Sequence, residues 1–238
     1  MTLSAQPSLP RLLALDTATD TLYLALQTPA GLLQREVCGG AQASAALLPL
    51  VAELLAEAGW TLHDLQALAY GQGPGAFTGL RTACSVVQGL AMGADRPVLA
   101  LDTLAAVAES ARQQGAEGPV WAMQDARMGE VYAARYVATP QGWQADRPAA
   151  LYAPETLAVL AAEPGVAWAG NALQVYAPLQ GAPCPAWPQA VPGPAALMAL
   201  AQAAWCAGAL LDAGAALPIY VRDKVAQTTA ERAAQRGA

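Results

Sequence analysis

The sequence predicts a layered α/β protein, for three reasons. Short apolar runs that end in turn-forming residues alternate along the chain with longer segments of helical spacing. A hydrophobic fraction of 55% over 238 residues provides ample core material. A strand–turn–strand pattern near the start also returns about halfway along the chain, so we expect two small domains.

The first predicted elements are two strands and a helix. The apolar runs Leu12 to Asp16 and Leu22 to Leu26 flank the turn-forming residues TATD, which indicates strand, tight turn, strand. Apolar residues at helical spacing then predict a helix that Ser44 caps, that runs to about Ala58 and that has Gly59 at its end.

A strand, a second helix and another strand follow. The apolar run from Leu65 to Tyr70 predicts the first of these strands, and Val98 to Leu101 predicts the other. Between them, Thr78 is a suitable helix cap and predicts a helix to Ala94, closed by Gly93.

The segment VWAMQDARMGEVYAARY repeats the opening segment LLALDTATDTLYLAL. Identical residues lie 109 positions apart at three places, and three identities alone do not distinguish duplication from chance. The matched pairs are Asp16 with Asp125, Tyr23 with Tyr132, and Ala25 with Ala134.

The remaining chain gives fewer signals. Residues 140–194 are rich in Pro, Gly and Trp and contain only short apolar segments. We expect a helix from about Pro194 to Ala213, then an extended piece from Pro218 to Arg222, and a polar tail that frays.

Composition excludes several classes of protein. A net charge of −6 argues against a chain that grips nucleic acid by itself, because phosphate contacts need clustered positive charge. No apolar run reaches the roughly 18 residues of a membrane-spanning helix. The first ten residues lack a basic start and an apolar stretch, so we read them as a leader rather than a signal peptide and expect a cytoplasmic protein.

Catalytic groups are few. His63 is the only histidine, so a zinc pair is excluded, and a Ser-His-Asp or Cys-His centre would have to use this residue. The cysteines show no CxxC spacing and are interpreted as scattered core thiols. They are Cys38, Cys84, Cys184 and Cys206.

Asp16 ends the first predicted strand, where actin-like and sugar-kinase-like folds place a carboxylate that meets magnesium or phosphate. Thr17 and Thr19 would then supply hydroxyl groups. The alternative is an Asx turn, in which the carboxylate satisfies its own backbone.

The run GQGPGAFTGLR, from Gly71 to Arg81, matches neither the GxxxxGK phosphate loop nor the GxGxxG dinucleotide motif. Its glycines permit a sharp strand-to-helix turn close to another surface, with Phe77 as an apolar anchor. Arg81 then falls in the first helical turn, where a cation opposes the helix dipole. Its head group therefore meets either an anionic partner or water.

The helix after this loop, TACSVVQGLAMGA, is apolar nearly all round, as a helix buried on two sides must be. One side can meet its own sheet and the other a second chain. Burial within a single chain explains the pattern equally well.

Together these segments resemble the TsaB family, also called YeaZ, of the bacterial threonylcarbamoyladenosine tRNA modification machinery. The resemblance covers nearly the whole chain and is strongest from Leu12 to Tyr136. The motifs that carry it are LALDTAT at 13–19, LLP at 47–49, YGQGPGAFTGLR at 70–81, QGLAMGAD at 88–95, DTLAAVA at 102–108, DARMGEVY at 125–132 and PIYVR at 218–222.

The resemblance implies an actin-like (ASKHA, ribonuclease-H-like) α/β fold with two related domains, and it makes duplication the expected origin of the repeat. We assign 1–10 to a flexible leader, 11–105 to an N-terminal actin-like domain with the partner-binding helices, 106–225 to a C-terminal actin-like domain and 226–238 to a polar tail.

The resemblance also implies a non-catalytic scaffold subunit that binds the catalytic subunit TsaD and the ATPase TsaE. In that system TsaD transfers threonylcarbamoyl to N6 of the adenosine after the anticodon, in tRNAs that read codons beginning with A. We expect no cofactor, with ATP only at the complex junction, tRNA contact only through the complex, and a homodimer when the chain is alone. A weak stand-alone ATPase of the actin-like superfamily is the alternative.

Members of this family pair through the first two helices of the first domain. The partner-binding residues so implied are Leu47, Leu48, Val51, Leu54, Ala83, Val86, Val87 and Leu90. The signature loop contributes Gly73, Gly75, Phe77, Thr78, Gly79 and Arg81. Candidate nucleotide ligands are Asp16, Thr17 and Thr19, and neither catalytic nor metal-binding residues are expected.

Two positions depart from the family pattern. Ala43 stands before Ser44 where relatives commonly have His, and Ala76 replaces the usual Ser of GPGSFTG. No ligand or catalytic role is therefore carried over to these two positions.

Overall fold

Two five-stranded mixed sheets form the frame of the molecule. The structure is a computed structural model that describes residues 9–222, without the side chains of 41–44. The first sheet contains β1 (Leu12–Asp16), β2 (Thr21–Thr28), β3 (Gly31–Cys38), β4 (Ala67–Gly73) and β5 (Val98–Asp102). The second sheet contains β6 (Val120–Asp125), β7 (Val131–Thr139), β8 (Gly142–Tyr152), β9 (Ala167–Ala169) and β10 (Ala186–Trp187).

Six α-helices connect and cover these strands within residues 9–222. They are α1 (Ala41–Ala58), α2 (Phe77–Ala94), α3 (Thr103–Gln113), α4 (Pro154–Leu160), α5 (Ala172–Val175) and α6 (Pro194–Cys206). Short 3-10 turns lie at Leu62–Asp64, Ala177–Leu179 and Ala213–Ala215.

The two sheets have the same topology. The first has the order β3-β2-β1-β4-β5, in which β2 is antiparallel to both β3 and β1, and β4 and β5 are added in parallel to β1. The second has the equivalent order β8-β7-β6-β9-β10 with the same directions. This confirms the α/β class and the duplicated, actin-like or ribonuclease-H-like fold.

The register of the two hairpins corrects the residue matches. Asp16 pairs with Tyr23 in the first hairpin, whereas Asp125 pairs with Val131 in the second. The second hairpin is therefore one residue shorter, and the tyrosine at 132 is not the structural equivalent of the one at 23. The duplication is present in the topology although two of the three identities are out of register.

Helices and sheets alternate in layers. Helices α1 and α2 cover one face of the first sheet, and α3 and α6 lie between the two sheets. Helices α4 and α5 cover the far face of the second sheet. We call the first sheet with α1 and α2 lobe 1, and the second sheet with α4 and α5 lobe 2. Strands with both faces covered are largely apolar, as in β1, where LLAL precedes the terminal Asp16.

Helix α3 has the most enclosed position of any helix in the described chain. All of its residues from Thr103 to Ala111 are buried. Asp102 caps it by accepting hydrogen bonds from the N–H groups of Leu104 and Ala105, and its other oxygen accepts a 2.6 Å bond from the Tyr136 hydroxyl of lobe 2. Burial raises the pKa of this carboxyl.

The first predicted helix begins earlier than expected. Gly59 closes it in the left-handed conformation, as predicted, but α1 begins at Ala41, three residues before Ser44. The N–H groups of Gly39 and Gly40 both donate to the Asp20 carbonyl, which turns the chain into the helix before the serine is reached.

The other predicted helix ends also move. Helix α2 begins at Phe77 rather than after Thr78, because the N–H of Ala76 is held by the Ala18 carbonyl. Asp95, not Gly93, closes α2 at φ 52°, a conformation that Asp tolerates better than most residues. Helix α6 stops at Cys206 rather than Ala213, before a left-handed Gly208.

The predicted domain boundary lies in the helical layer between the two sheets. The predicted boundary at 105/106 falls inside α3, and α6, assigned to the second domain, packs on the first sheet. Of the predicted leader 1–10, only Leu9 and Pro10 are described, and the predicted tail 226–238 lies outside the described residues. Within 9–222, no helix has the length and apolar character that crossing a membrane requires.

Candidate functional site

The loop between β4 and α2 packs against the turn that follows β1. A Cβ on Gly71 would lie 1.7 Å from Oδ2 of Asp16, and one on Gly79 would lie 1.8 Å from the Thr17 carbonyl oxygen. Gly75 has the same requirement, because its Cβ would approach this turn to 2.5 Å. The close surface that these glycines allow is therefore the chain's own first hairpin.

Gly73 faces a different segment, the strap, which we define as residues 216–222. Gly73 has φ 113°, and a Cβ on it would lie 2.8 Å from the Ile219 carbonyl oxygen. The N–H of Ile219 donates to the Gln72 carbonyl at 2.7 Å, and the Tyr70 hydroxyl bonds both backbone groups of Leu217. The predicted extended piece is thus tied along β4.

The candidate nucleotide ligands are engaged within the chain. Asp16 is fully buried, and its oxygens accept hydrogen bonds from the Ala18 N–H at 2.6 Å and the Thr103 hydroxyl at 2.8 Å. Burial raises the pKa of Asp16 to about 6, although both hydrogen bonds oppose the rise. Thr17 donates to the Gly79 carbonyl, and Thr19 bonds its own turn. This is the Asx-turn alternative, and a nucleotide here would have to displace these bonds.

Arg81 is exposed, in agreement with the second alternative, and its guanidinium also has aromatic partners. Its guanidinium lies 3.7 Å from the Phe77 ring centroid, and its Nε donates to the Tyr220 hydroxyl at 3.0 Å. The phenylalanine and tyrosine rings are 5.1 Å apart, centroid to centroid. Because α2 begins at Phe77, Arg81 lies beyond the first turn, and the argument from the helix dipole does not apply to it. Thr78 is exposed in that first turn.

Most of the predicted partner-binding residues face inwards. Five of them are buried in the core of lobe 1 and cannot line a docking surface in this conformation: Leu47, Val51, Leu54, Ala83 and Val87. Val86 and Leu90 are half-buried, and Leu48 is 53% exposed.

The outer faces of α1 and α2 carry mostly small or apolar residues, beside the exposed Glu53 and Glu57 of α1. Since the apolar stripe of each helix is used against the first sheet, the residues left outside lie at i, i+3 and i+4 from one another on the opposite side. We call this surface the small-residue face. On α1 it consists of Ala45, Leu48, Pro49, Ala52 and Ala56, and on α2 of Ser85, Gly89, Met92 and Gly93.

Charged groups meet where the two lobes face each other. The turn after β6 holds Arg127 and Met128 at φ 63° and 56°, a conformation that costs non-glycine residues about 1 kcal/mol or more each. In that conformation the Arg127 guanidinium pairs with Asp20 of lobe 1 and lies 3.2 Å from Asp125 of its own turn. Arg222 at the end of the strap pairs with Glu130 at 2.6 Å.

The histidine and the cysteines lie in separate parts of the fold. His63 lies in a 3-10 turn, where its carbonyl accepts from Arg96. Among residues 9–222 no group of three His, Cys, Asp or Glu side chains is placed to hold a metal ion. Cys84 is buried as predicted, but Cys38 and Cys206 are exposed, so the interpretation as core thiols is wrong for these two.

Sequence reasoning missed the strap contacts and the left-handed turn at 127–129. A short polar turn gives no pattern from which positive φ at Arg127 could be inferred. For the strap, the motif PIYVR was visible, but its partners on β4 and α2 lie more than a hundred residues away in sequence.

A known family model and known proteins match this chain over more than half of its length. The family model for TsaD, described as tRNA N6-adenosine threonylcarbamoyltransferase, matches residues 40–187. The TsaB proteins of Escherichia coli K12 and Haemophilus influenzae are each 40% identical, over 147 and 126 residues. These matches span 61% and 53% of this chain, and 63% and 53% of the respective relative, so the chain aligns with less than two thirds of either.

Solved structures extend the match. YeaZ from Pseudomonas aeruginosa superposes with a TM-score of 0.80 at 38% identity, covering 89% of this chain and 99% of that one. A second Pseudomonas aeruginosa structure, described as a protein with similarity to peptidase YEAZ, gives 0.81 at 38% identity and covers 90% and 100%. The predicted resemblance is confirmed: the chain belongs to the TsaB, or YeaZ, family.

Proposed function

We propose that this chain is a non-catalytic subunit in the biosynthesis of threonylcarbamoyladenosine in tRNA, and that it acts by binding TsaD. The observation that carries the proposal is the small-residue face of α1 and α2. Its small side chains let the backbone of a partner helix approach closely, and Leu48 and Met92, 53% and 60% exposed, add apolar area.

The charge of the chain favours this indirect role. With a net charge of −6 it is not built to hold tRNA alone, so tRNA would be met through the complex. With one histidine in the whole sequence, the paired histidines of a metal-dependent transferase would have to come from the partner. In this proposal TsaD performs the transfer to N6 of the adenosine after the anticodon.

TsaE and a second copy of this chain are the further partners in the proposal. The relatives' names support the pathway, and the small-residue face supports contact with a helical surface. A second copy can use the same face when TsaD is absent, because two equivalent helix pairs can pack around a twofold axis. ATP, if present, would lie at the junction with TsaD and not on Asp16, whose oxygens are already bonded.

The first prediction tests the small-residue face. Gly89→Arg adds a long charged side chain at a position where a Cβ meets nothing within 4 Å, so the fold should tolerate it while a partner helix should not. We expect at least a tenfold loss of affinity for TsaD, measured by titration, with a melting temperature no lower than that of the wild type. Leu48→Glu should have the same effect.

Val159→Glu is the matched control. Val159 is 80% exposed on α4 of lobe 2, so the substitution makes the same kind of change away from α1 and α2 and should leave TsaD binding intact. If Gly89→Arg and Leu48→Glu bind TsaD as the wild type does, the proposed docking surface is wrong. ATP turnover by the purified chain, lost in Asp16→Ala, would favour the stand-alone ATPase instead.

A further inference from the structure

A cavity of about 210 Å³ lies between the two lobes, away from the small-residue face. Four pieces of chain enclose it: the turn after β1, the start of α2, the turn after β6, and the strap. A second cavity of about 150 Å³ shares part of its lining, namely Thr19, Asp20, Gln124 and Asn171.

Two buried polar side chains that line the first cavity lack hydrogen-bond partners. Gln124 is 4% exposed, and its Oε1 is buried without a partner among the described residues. Tyr132 is 7% exposed, and its hydroxyl makes no hydrogen bond within residues 9–222. The two residues are direct partners in the β6–β7 register, so their side chains stand on the same face of the sheet.

Lobe 1 shows that the fold does not require polar residues at these positions. In both sheets the first strand ends in an aspartate, and the residue before it pairs with the second strand. In lobe 1 that pair is Leu15 and Leu24, both fully buried in the core. In lobe 2 the equivalent pair is Gln124 and Tyr132. An unpaired buried polar group costs about 1–3 kcal/mol, so the polar pair calls for a reason outside folding.

The charges around the cavity are already paired. Arg127 is held by Asp20 and Asp125, and Arg222 by Glu130. Among the described lining residues no cation is therefore free to hold a phosphate, and no carboxylate is free to hold a cation. The polar groups still available are neutral.

We propose that this cavity binds a small, flat, neutral molecule with an amide-like edge, in which an N–H donor lies beside a carbonyl acceptor. The Oε1 of Gln124 has no access to the cavity, so its amide contributes one donor, Nε2, to the carbonyl of such an edge. The Tyr132 hydroxyl accepts from the N–H of the same edge. Phe77 and Tyr220, which also line the cavity, provide aromatic surface for the ring.

Uracil and 1,3-dimethyluracil test this recognition on the full chain. The two molecules share a ring, but the dimethyl compound has no N–H donor. We expect saturable binding of uracil in calorimetric titration and in ligand-observed NMR, and at least tenfold weaker binding of 1,3-dimethyluracil. Absence of saturable uracil binding, or equal binding of both compounds, overturns the proposal.

Gln124→Leu introduces the residue type that lobe 1 has at this position. We expect at least tenfold weaker uracil binding, together with an equal or higher melting temperature in the absence of ligand. Tyr132→Phe should weaken binding several-fold without unfolding the chain, and it serves as the second variant if Gln124→Leu does not fold. Unchanged uracil affinity in Tyr132→Phe and Gln124→Leu would contradict the assignment.

Met123→Leu is the matched control. Met123 lies on the same strand as Gln124, but it faces the opposite side of the sheet and packs with α4 and α5. The substitution conserves volume and should leave uracil affinity unchanged. A loss equal to that of Gln124→Leu would show that any disturbance of β6 abolishes binding, and it would overturn the specific role of the amide.

Discussion

Asp16 carries a carboxylate into the core of lobe 1, where it joins the first hairpin to α3. Its two hydrogen bonds do not offset the loss of water, and its pKa is raised to about 6. The folded state therefore binds this proton more tightly than the unfolded chain, whose carboxyl titrates near 3.8. The resulting stability is fully present below about pH 4 and is lost as pH rises through 6.

Asp16→Asn should remove this pH dependence. The amide can still accept from the Ala18 N–H and can donate to the Thr103 hydroxyl, but it carries no charge. At pH 7 we expect the variant to exceed the wild type in free energy of unfolding by up to about 3 kcal/mol, and the difference should vanish towards pH 4. Urea denaturation at pH 4, 5, 6 and 7 measures the free energy of unfolding of both proteins. A difference between them that does not change with pH would contradict this explanation.

The individual residues of the proposed docking surface were the least predictable part of the site. Apolar spacing on a helix identifies the side that is buried, and in α1 and α2 that side meets the first sheet. Val51 and Val87, which the resemblance implied as partner-binding residues, therefore lie on the side that packs within lobe 1. The outer face carries small residues such as Gly89, which give no comparable signal in a sequence.

At the scale of elements, the strands were predictable and the helix ends were not. β1 matched its predicted limits because apolar runs and turn residues are local signals. The start of α1 was not predictable from Ser44, because distant backbone contacts from Gly39 and Gly40 to Asp20 determine it. The strand-to-helix loop was predicted as a close approach, but only the structure identifies the surface that it approaches.

Two glycines of α2 should respond oppositely to alanine. Gly79→Ala places a methyl group 1.8 Å from the Thr17 carbonyl oxygen, so either the loop or the hairpin must move, at a cost of about 1–3 kcal/mol or more. Gly89→Ala meets nothing within 4 Å and should stabilise the helix by about 0.5–1 kcal/mol.

Thermal and urea denaturation of the two variants would compare them within one helix. Both substitutions add the same methyl group. The difference between the changes that they cause in the free energy of unfolding therefore reports the contact with the first hairpin. Equal effects of the two substitutions would mean that the loop does not depend on this contact.

At the scale of the whole molecule, α3 and α6 form the layer between the two sheets, with α3 packed mainly on the second sheet and α6 mainly on the first. The repeat in the sequence predicted two related halves, and the equal topologies of the sheets confirm this. The sheet on which each helix packs could not be predicted from the order of the elements in the sequence, since α6 follows lobe 2 in sequence yet packs on the sheet of lobe 1. The strap adds a further connection, from β4 to the turn after β6.

The two lobes should therefore unfold together. The chain has six tryptophans, of which Trp60 packs in lobe 1 and Trp168 is buried in lobe 2. If all six are replaced by 5-fluorotryptophan, the fluorine resonances of these two residues should disappear at the same urea concentration. Loss of one signal well before the other would show that α3 does not couple the lobes.

Helix α3 has a consequence for the history of this fold. This helix, from the first half of the sequence, packs mainly on the second sheet, while α6, from the second half, packs mainly on the first, so duplication produced two sheets with one middle layer between them. Neither half is any longer a complete copy of an ancestral unit, because each relies on the other to cover its inner face. A gene fragment encoding either half would yield a sheet with one bare apolar side, so the two copies are now inherited as a single piece.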